Sequence, residues 1–83
     1  MTEKQFIRAV GREIRKIRER KDLSQEATSG LEMSNRNYQR LEAGDANARL
    51  TTLLKIAQAL DVHPKEFFNF ELGKPEKVVK RKV

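Results

Sequence analysis

The first quarter of the chain carries an apolar stripe with the period of an α-helix. Its members are spaced four, four and three residues apart: Phe6, Val10, Ile14 and Ile17. This spacing predicts a helix over residues 3–21 whose stripe lies in the core. Gly11 interrupts the helix at a cost of about 1 kcal/mol relative to Ala, so we expect another helix to approach closely at that point.

Residues 24–44, SQEATSGLEMSNRNYQRLEAG, predict two short helices joined by a tight turn. Ser24 and Ser34 are suitable N-caps, because a serine hydroxyl can accept a hydrogen bond from an otherwise unpaired backbone N–H. The first helix is expected to be short, since residues 28–30 are poor helix formers. Gly44 can adopt the left-handed conformation that ends a helix, so the second helix is expected over about residues 35–43.

The second helix of this pair has two distinct sides. Apolar contacts come from Met33, Tyr38 and Leu41 on one side, and the Tyr38 hydroxyl is expected to reach the surface. Polar side chains fall on the other side at positions i, i+1, i+4 and i+5: Asn35, Arg36, Gln39 and Arg40. The pattern therefore predicts one side that packs and one side that is free to bind.

Two further helices follow a turn-rich loop. Residues 51–60, TTLLKIAQAL, predict a helix with a broad apolar face formed by Leu53, Leu54, Ile56, Ala57 and Leu60. Pro64 suits the first position of another short helix, PKEFFNF, in which Phe67 is expected to be buried. Residues 74–83, KPEKVVKRKV, are charged and predict a flexible basic tail after a domain that spans residues 1–73.

Charge is distributed unevenly along the chain of 83 residues, whose net charge is +6. Residues 4–21 carry +6 and residues 74–83 carry +4, whereas residues 22–73 carry −3 and Glu3 carries the remaining −1. A basic flank and a basic tail favour a polyanion as partner. The alternative is that the first helix simply has a solvated charged face, and charge alone does not decide between the two.

The sequence also disfavours several classes of function. Without Cys, the chain has neither a disulfide framework nor a thiolate metal site, and we expect no metal, no other cofactor and no small-molecule ligand. His63, the single histidine, precedes Pro64 and is expected at the surface, so we find no catalytic residue and expect no enzymatic activity. No stretch approaches the roughly 20 apolar residues that cross a bilayer, which predicts a cytoplasmic protein that does not bind membranes.

Three segments within residues 10–68 form a recognisable pattern when they are taken together. They are VGREIRKIRERKDLSQE, MSNRNYQRLEAG and LTTLLKIAQALDVHPKEFF. In this order and spacing they resemble the phage-repressor type of helix-turn-helix domain, often called the XRE or Cro-like family. Members of that family are compact, all-α, five-helix domains that usually bind operator DNA as dimers and regulate transcription, without catalytic activity. The same fold and function are what the resemblance implies here.

The resemblance implies separate roles for the polar residues. On the second helix of the pair, the recognition helix, the groove-facing residues would be Ser34, Asn35, Arg36 and Arg40, followed in second rank by Asn37 and Gln39. The phosphate-contacting residues would be Ser24, Gln25, Asn47 and Arg49. These residue types fit, because Arg can bind guanine and Asn can bind adenine bidentately, while a helix start favours an anion. Arg36 could alternatively be a solvated charge, and Arg40 could pair with an acidic neighbour.

The turn between the two short helices departs from the family's pattern. The interval from Gln25 to Met33 is one residue shorter than usual, and Glu32 stands where the turn often carries Gly. Either the helix before the turn or the turn itself must therefore differ from the family's usual geometry. The overall fold is not expected to change.

Two structural pairings are also expected. The resemblance implies an ion pair between Arg18 and Glu42 that ties the first helix to the end of the recognition helix, the alternative being two independent surface charges. Phe67, Phe68 and Phe70 offer more aromatic surface than one short helix can bury, which predicts a homodimer interface. Alternatively, two of the three complete the monomer core and the dimer forms only on DNA.

The sequence thus predicts a sequence-specific transcriptional regulator that binds double-stranded operator DNA, expected to be an inverted repeat. A homodimer would place its recognition helices in successive major grooves. The tail of residues 74–83 is expected to strengthen binding to any DNA, or else to be idle. Small family members include controller proteins, phage repressors and antitoxins, and the sequence does not choose among them. The alternative function is a protein–protein adaptor or antitoxin whose main activity is partner binding.

Overall fold

The computed structural model describes residues 1–30 and 33–75, and the regular secondary structure within these ranges is all helical. Four α-helices and one 3-10 helix follow each other along the chain: α1 (Glu3–Arg20), α2 (Gln25–Ser29), α3 (Asn35–Glu42), α4 (Leu50–Leu60) and the 3-10 helix (Pro64–Phe68). The predicted all-α fold is confirmed, with the last element a 3-10 helix. Leu31, Glu32 and residues 76–83 lie outside the described residues, and with them the altered turn position and most of the predicted tail.

Side chains cap the starts of the first three α-helices. The Thr2 hydroxyl accepts from the Gln5 backbone N–H at 3.1 Å, and the Gln5 side chain accepts from the Thr2 N–H at 2.9 Å. Ser24 Oγ accepts from the Ala27 N–H at 3.0 Å, and Ser34 caps α3 in the same way. Both serine caps expected from the sequence are therefore confirmed.

The hydrophobic core is formed by four of the five helices. Its buried members come from α1, α3, α4 and the 3-10 helix: Val10, Ile14, Ile17, Tyr38, Leu41, Leu53, Ile56, Ala57, Leu60 and Phe67. Helix α2 contributes Thr28, which is buried, while its more apolar neighbour Ala27 is exposed. The short helix α2 is thus held by contacts with α3 and α4 at a position that the apolar pattern does not mark.

Two residues of the predicted apolar faces are not part of this core. Phe6 of α1 is 39% exposed and Leu54 of α4 is 47% exposed. Phe6 instead forms an aromatic cluster with Phe68 and Phe70, at ring-centroid distances of 6.1 and 5.8 Å. The segment after the 3-10 helix therefore packs back onto the start of α1, and the Met1 ammonium group donates to the Lys74 carbonyl in the same region.

Helix α1 crosses the end of α3 at two glycines. A Cβ on Gly11 would collide with the backbone carbonyl oxygens of Leu41 and Glu42, so only glycine allows this approach, as the sequence predicted. Gly44 ends α3 with a φ of +81°, and a Cβ there would lie 2.5 Å from Arg8 Cγ. These two contacts fix where α1 lies relative to the recognition helix.

Candidate nucleic-acid interface

Helix α3 has one buried side and one side that faces solvent. Tyr38, Leu41 and Glu42 are buried against α1 and the core. The exposed residues include most of the predicted DNA-facing set: Ser34, Arg36, Asn37, Gln39 and Arg40. The structure therefore leaves one face of this helix open over its whole length, with amide and guanidinium groups available for hydrogen bonding.

Asn35 is placed differently from the other predicted base-reading residues. It is half-buried, and its Oδ1 is buried without a hydrogen-bond partner. A bidentate contact with adenine requires both the oxygen and the nitrogen of the amide. In this conformation the oxygen does not face solvent, so Asn35 must change its side-chain rotamer to make such a contact.

Arg40 is exposed and is held by the loop that follows α3. Its Nη2 donates to the Asp45 backbone carbonyl at 3.1 Å, and the Asp45 N–H donates to the Arg40 carbonyl at 2.8 Å. The residue thus binds a carbonyl and not an acidic side chain, which was the alternative considered from the sequence. The other guanidinium N–H groups of Arg40 form none of the described hydrogen bonds.

The start of α2 carries Ser24 and Gln25, which were predicted to contact phosphate. The Ser24 oxygen caps the helix, and its hydroxyl hydrogen is free to donate outward. Gln25 is half-buried, and its Nε2 donates to Glu42 Oε1 at 3.1 Å. One of its two amide hydrogens is therefore engaged within the protein, and sequence reasoning had no signal for this bond because its partner lies 17 positions away.

Asn47 and Arg49, the other predicted phosphate contacts, are exposed in the loop between α3 and α4. Arg49 is the N-cap of α4, and no side chain caps the first backbone N–H groups of that helix. A groove of about 420 Å³ separates this loop from the start of α3 and is lined in part by Ser34, Asn37 and Thr52. The structure thus places both residues beside uncapped N–H donors and across a groove from the recognition helix.

A partly buried polar network joins α1, α2 and α3. Arg18 donates to Glu42 through Nε at 2.6 Å and through Nη2 at 3.0 Å, and its Nη1 donates to the Leu23 carbonyl at 2.8 Å. Only 3% of the Glu42 side chain and 12% of the Arg18 side chain are exposed. The two residues therefore form the bidentate ion pair that the resemblance implied, and not two independent surface charges.

The surroundings of Glu42 shift the pKa values of this network. Burial alone would raise the pKa of the Glu42 carboxyl, but the hydrogen bonds from Arg18, the nearby Tyr38 hydroxyl and the hydrogen bond from Gln25 outweigh burial and hold that pKa below its usual value of 4.5. The hydrogen-bonded Glu42 carboxylate raises the pKa of the Arg18 guanidinium, although burial alone would lower it. Both groups therefore stay charged at neutral pH and the ion pair persists.

Tyr38 differs from its expected placement. Its hydroxyl was expected to reach the surface, but the whole side chain is buried. Burial, and then the neighbouring Glu42 carboxylate, raises the pKa of the Tyr38 hydroxyl, which stays protonated. The oxygen lies close enough to Glu42 for this electrostatic effect, although no hydrogen bond of regular geometry satisfies it. Tyr38 therefore belongs to the interior and is not available to DNA.

The predicted dimer interface also requires a correction. Phe67 is completely buried and completes the monomer core, so it offers no surface to a partner. Phe68 is 42% exposed and Phe70 is half-buried. The exposed aromatic surface of this region is formed by Phe68 together with Phe6, which comes from the opposite end of the chain.

Comparison with known proteins agrees with this geometry. Residues 14–67 match the helix-turn-helix family. The chain belongs to the XRE-type helix-turn-helix family. It is also similar in structure to the restriction-modification controller protein C.AhdI from Aeromonas hydrophila, with a TM-score of 0.72 and 35% sequence identity over 75% of this chain and 96% of that one. The comparison with curated protein sequences gave no match.

Membership of the helix-turn-helix family makes this chain a DNA-binding transcription regulator, of a kind that is typically non-enzymatic. Within residues 1–30 and 33–75, no cluster of three or more His, Cys, Asp or Glu side chains could hold a metal ion. In the same part of the chain, no helix combines the length and the apolar character needed to cross a membrane.

Proposed function

We propose that this helix-turn-helix protein recognises a specific operator sequence and binds it as a homodimer in the cytoplasm. The observation that carries the proposal is the open face of α3, which presents Arg36, Asn37 and Arg40 to solvent while the opposite face is locked into the core. A helix of eight residues with polar side chains at its start has the dimensions of a recognition helix in the major groove.

The division between base and phosphate contacts follows from position. Ser34, Arg36 and Arg40 project from α3 and are proposed to read base edges, with Asn35 joining them after a change of rotamer and with Asn37 and Gln39 in second rank. Ser24 and Gln25 at the start of α2 would hold one stretch of the DNA backbone, and Asn47 and Arg49 at the start of α4 would hold another. These contacts with the DNA backbone fix the register of α3 on the duplex but carry no sequence information.

We infer that the homodimer forms through an apolar groove beside the 3-10 helix. Three of the most exposed large apolar residues line it: Phe6 at 39%, Leu50 at 82% and Phe68 at 42% exposure. Such a surface is unfavourable in water and suits a second copy of the same chain. Two-fold symmetry would then place two α3 helices about one DNA turn apart and match an inverted repeat. The similarity to a controller protein favours that role over those of a phage repressor or an antitoxin.

The test begins with selection of bound duplexes from a random DNA pool. A mobility-shift titration then compares the selected duplex with a scrambled one at two salt concentrations. The proposal predicts an inverted repeat and a preference for it at both concentrations, since only base contacts distinguish the two duplexes. A protein that shows no preference is a partner-binding adaptor, and sedimentation equilibrium that shows only monomer at high micromolar concentration contradicts the proposed dimer.

A further inference from the structure

A row of basic residues on α1 lies outside the segment that matches the helix-turn-helix family. Lys4, Arg8 and Arg12 are each four residues apart, so they form one row on the helix surface, and all three are exposed. The family match begins at residue 14, after this row. We call these three residues the α1 basic row.

Within the described residues, the α1 basic row has no ion-pair partner. The acidic residues of the second half of the helix are used elsewhere: Glu13 pairs with Lys16 at 3.1 Å, and Glu19 pairs with Arg15 at 3.5 Å. Like charges four residues apart destabilise a helix modestly. The row therefore works slightly against folding, which favours a role in binding over a role in stability.

The packing of α1 places this row next to the proposed DNA contacts. The backbone and side-chain stem of Arg8 lie directly against Gly44, where α3 ends, and a Cβ on that glycine would be 2.9 Å from Arg8 Cα. The apolar groove proposed above for the dimer, about 280 Å³ in volume, lies between this part of α1 and the loop residues Ala46, Asn47 and Ala48. The first half of α1 thus runs alongside the loop that carries Asn47 and Arg49.

We propose that the α1 basic row is an additional phosphate-contacting surface, which extends the DNA footprint beyond the α3–α4 loop. The inference rests on the proposed function and adds a contact that the family pattern does not assign. Its partner is the DNA backbone, because three exposed cations that form no ion pair within the described residues lie in line, beside the loop whose Asn47 and Arg49 are proposed to contact phosphate. Such contacts add affinity for any sequence and release counterions on binding.

The experiment measures the salt dependence of DNA binding for Arg8→Gln and Lys4→Gln. Lys65→Gln is the matched control, because it removes one exposed positive charge from the 3-10 helix, which packs on α1 and α4. Glutamine keeps a side-chain stem at position 8, and Lys4→Gln serves as the second variant if the contact with Gly44 proves sensitive. Each variant is titrated against the selected duplex and against a scrambled duplex over a range of salt concentrations.

Each variant of the row is expected to reduce the slope of log K against log salt by about one per protomer, and to weaken both duplexes by the same factor. If both variants show the same slope of log K against log salt as Lys65→Gln, the inference is wrong. Failure of the proposed function is visible separately, since wild-type protein would then bind both duplexes equally. In that case the salt dependence on either duplex would still decide whether the α1 basic row contacts phosphate.

Discussion

The two sides of α3 have opposite chemistry on one short helix. Toward α1, the carboxylate of Glu42 is almost completely buried and accepts hydrogen bonds from Arg18 and Gln25. Toward solvent, Arg36 and Asn37 form none of the described side-chain hydrogen bonds or ion pairs. The Glu42 carboxylate on the inner side is hydrogen-bonded within the protein, whereas the Arg36 guanidinium on the outer side is available to a binding partner.

This difference separates stability from recognition. A buried ion pair is costly to break because the remaining partner is left charged and without water. An exposed Arg contributes little to folding, since water solvates it equally well in the unfolded chain. Substitutions on the inner side should therefore change the free energy of unfolding, and substitutions on the outer side should change DNA binding alone.

Glu42→Gln is expected to have the largest effect on stability. It leaves the Arg18 guanidinium partly buried without its counterion, so the free energy of unfolding should fall by about 3–5 kcal/mol. For a domain of this size that corresponds to a decrease in Tm of more than about 10 °C. Thermal unfolding followed by circular dichroism measures it, with Glu19→Gln, which breaks only an exposed pair with Arg15, as the control. A Tm equal to that of the control would mean that the inner side is not a stability element.

Gly11→Ala tests the contact between α1 and the end of α3 without changing a charge. Alanine is the better helix former, but its Cβ would meet the carbonyl oxygens of Leu41 and Glu42, which are backbone atoms and cannot move aside cheaply. We expect a net loss of about 1–3 kcal/mol in urea unfolding. A stabilised variant would show that α1 does not approach the end of α3 as closely as described.

Acid should weaken the inner side through Glu42. Its pKa in the folded protein lies below the ordinary value of 4.5, so the stabilisation is complete above that pH and is lost as the pH falls through the folded pKa. The wild-type Tm should therefore fall more steeply below about pH 4.5 than the Tm of Glu42→Gln, which lacks this group. Parallel curves of Tm against pH for the two proteins between pH 7 and pH 3 would contradict the stabilising role of ionised Glu42.

Arg36→Ala should have the smallest effect on stability and a clear effect on binding. Its side chain is exposed, so we expect a Tm within experimental error of the wild type. Loss of a bidentate base contact should cost about 1–3 kcal/mol of affinity for the selected duplex and much less for a scrambled one. If Arg36→Ala weakens both duplexes equally, Arg36 contacts phosphate, and base reading must rest on Asn35 and Arg40.

Local features of this fold could be predicted from the sequence. The serine caps, the left-handed Gly44 and the close approach at Gly11 each depend on the chemistry of one residue and its immediate neighbours. The apolar period predicted α1, α3 and α4 for the same reason, whereas α2 was predicted from its serine cap and not from an apolar face. The open face of α3 was also predictable, because helical spacing alone places Tyr38 and Leu41 opposite Arg36 and Arg40.

The features that were predicted incorrectly depend on contacts between distant residues. An apolar period indicates which face of a helix is buried but not how far a neighbouring helix covers it, so Phe6 and Leu54 were placed in the core. Phe67 is buried, as its position in the sequence predicted, because the 3-10 helix packs on both α1 and α4, and this burial conflicts with the place in a dimer interface that was also predicted for it. The bond between Gln25 and Glu42 joins two helices and has no local signal.

The most direct test of base reading by α3 compares the sequences that wild-type protein and Arg36→Ala select from the same random DNA pool. We expect the wild type to enrich an inverted repeat. We expect Arg36→Ala to enrich the same repeat with preference lost at one base pair in each half-site, because one exposed side chain of α3 reads one base. Identical sequence preferences for the two proteins would contradict base reading by Arg36, and no enriched repeat with either protein would contradict the central claim that the outer side of α3 reads DNA.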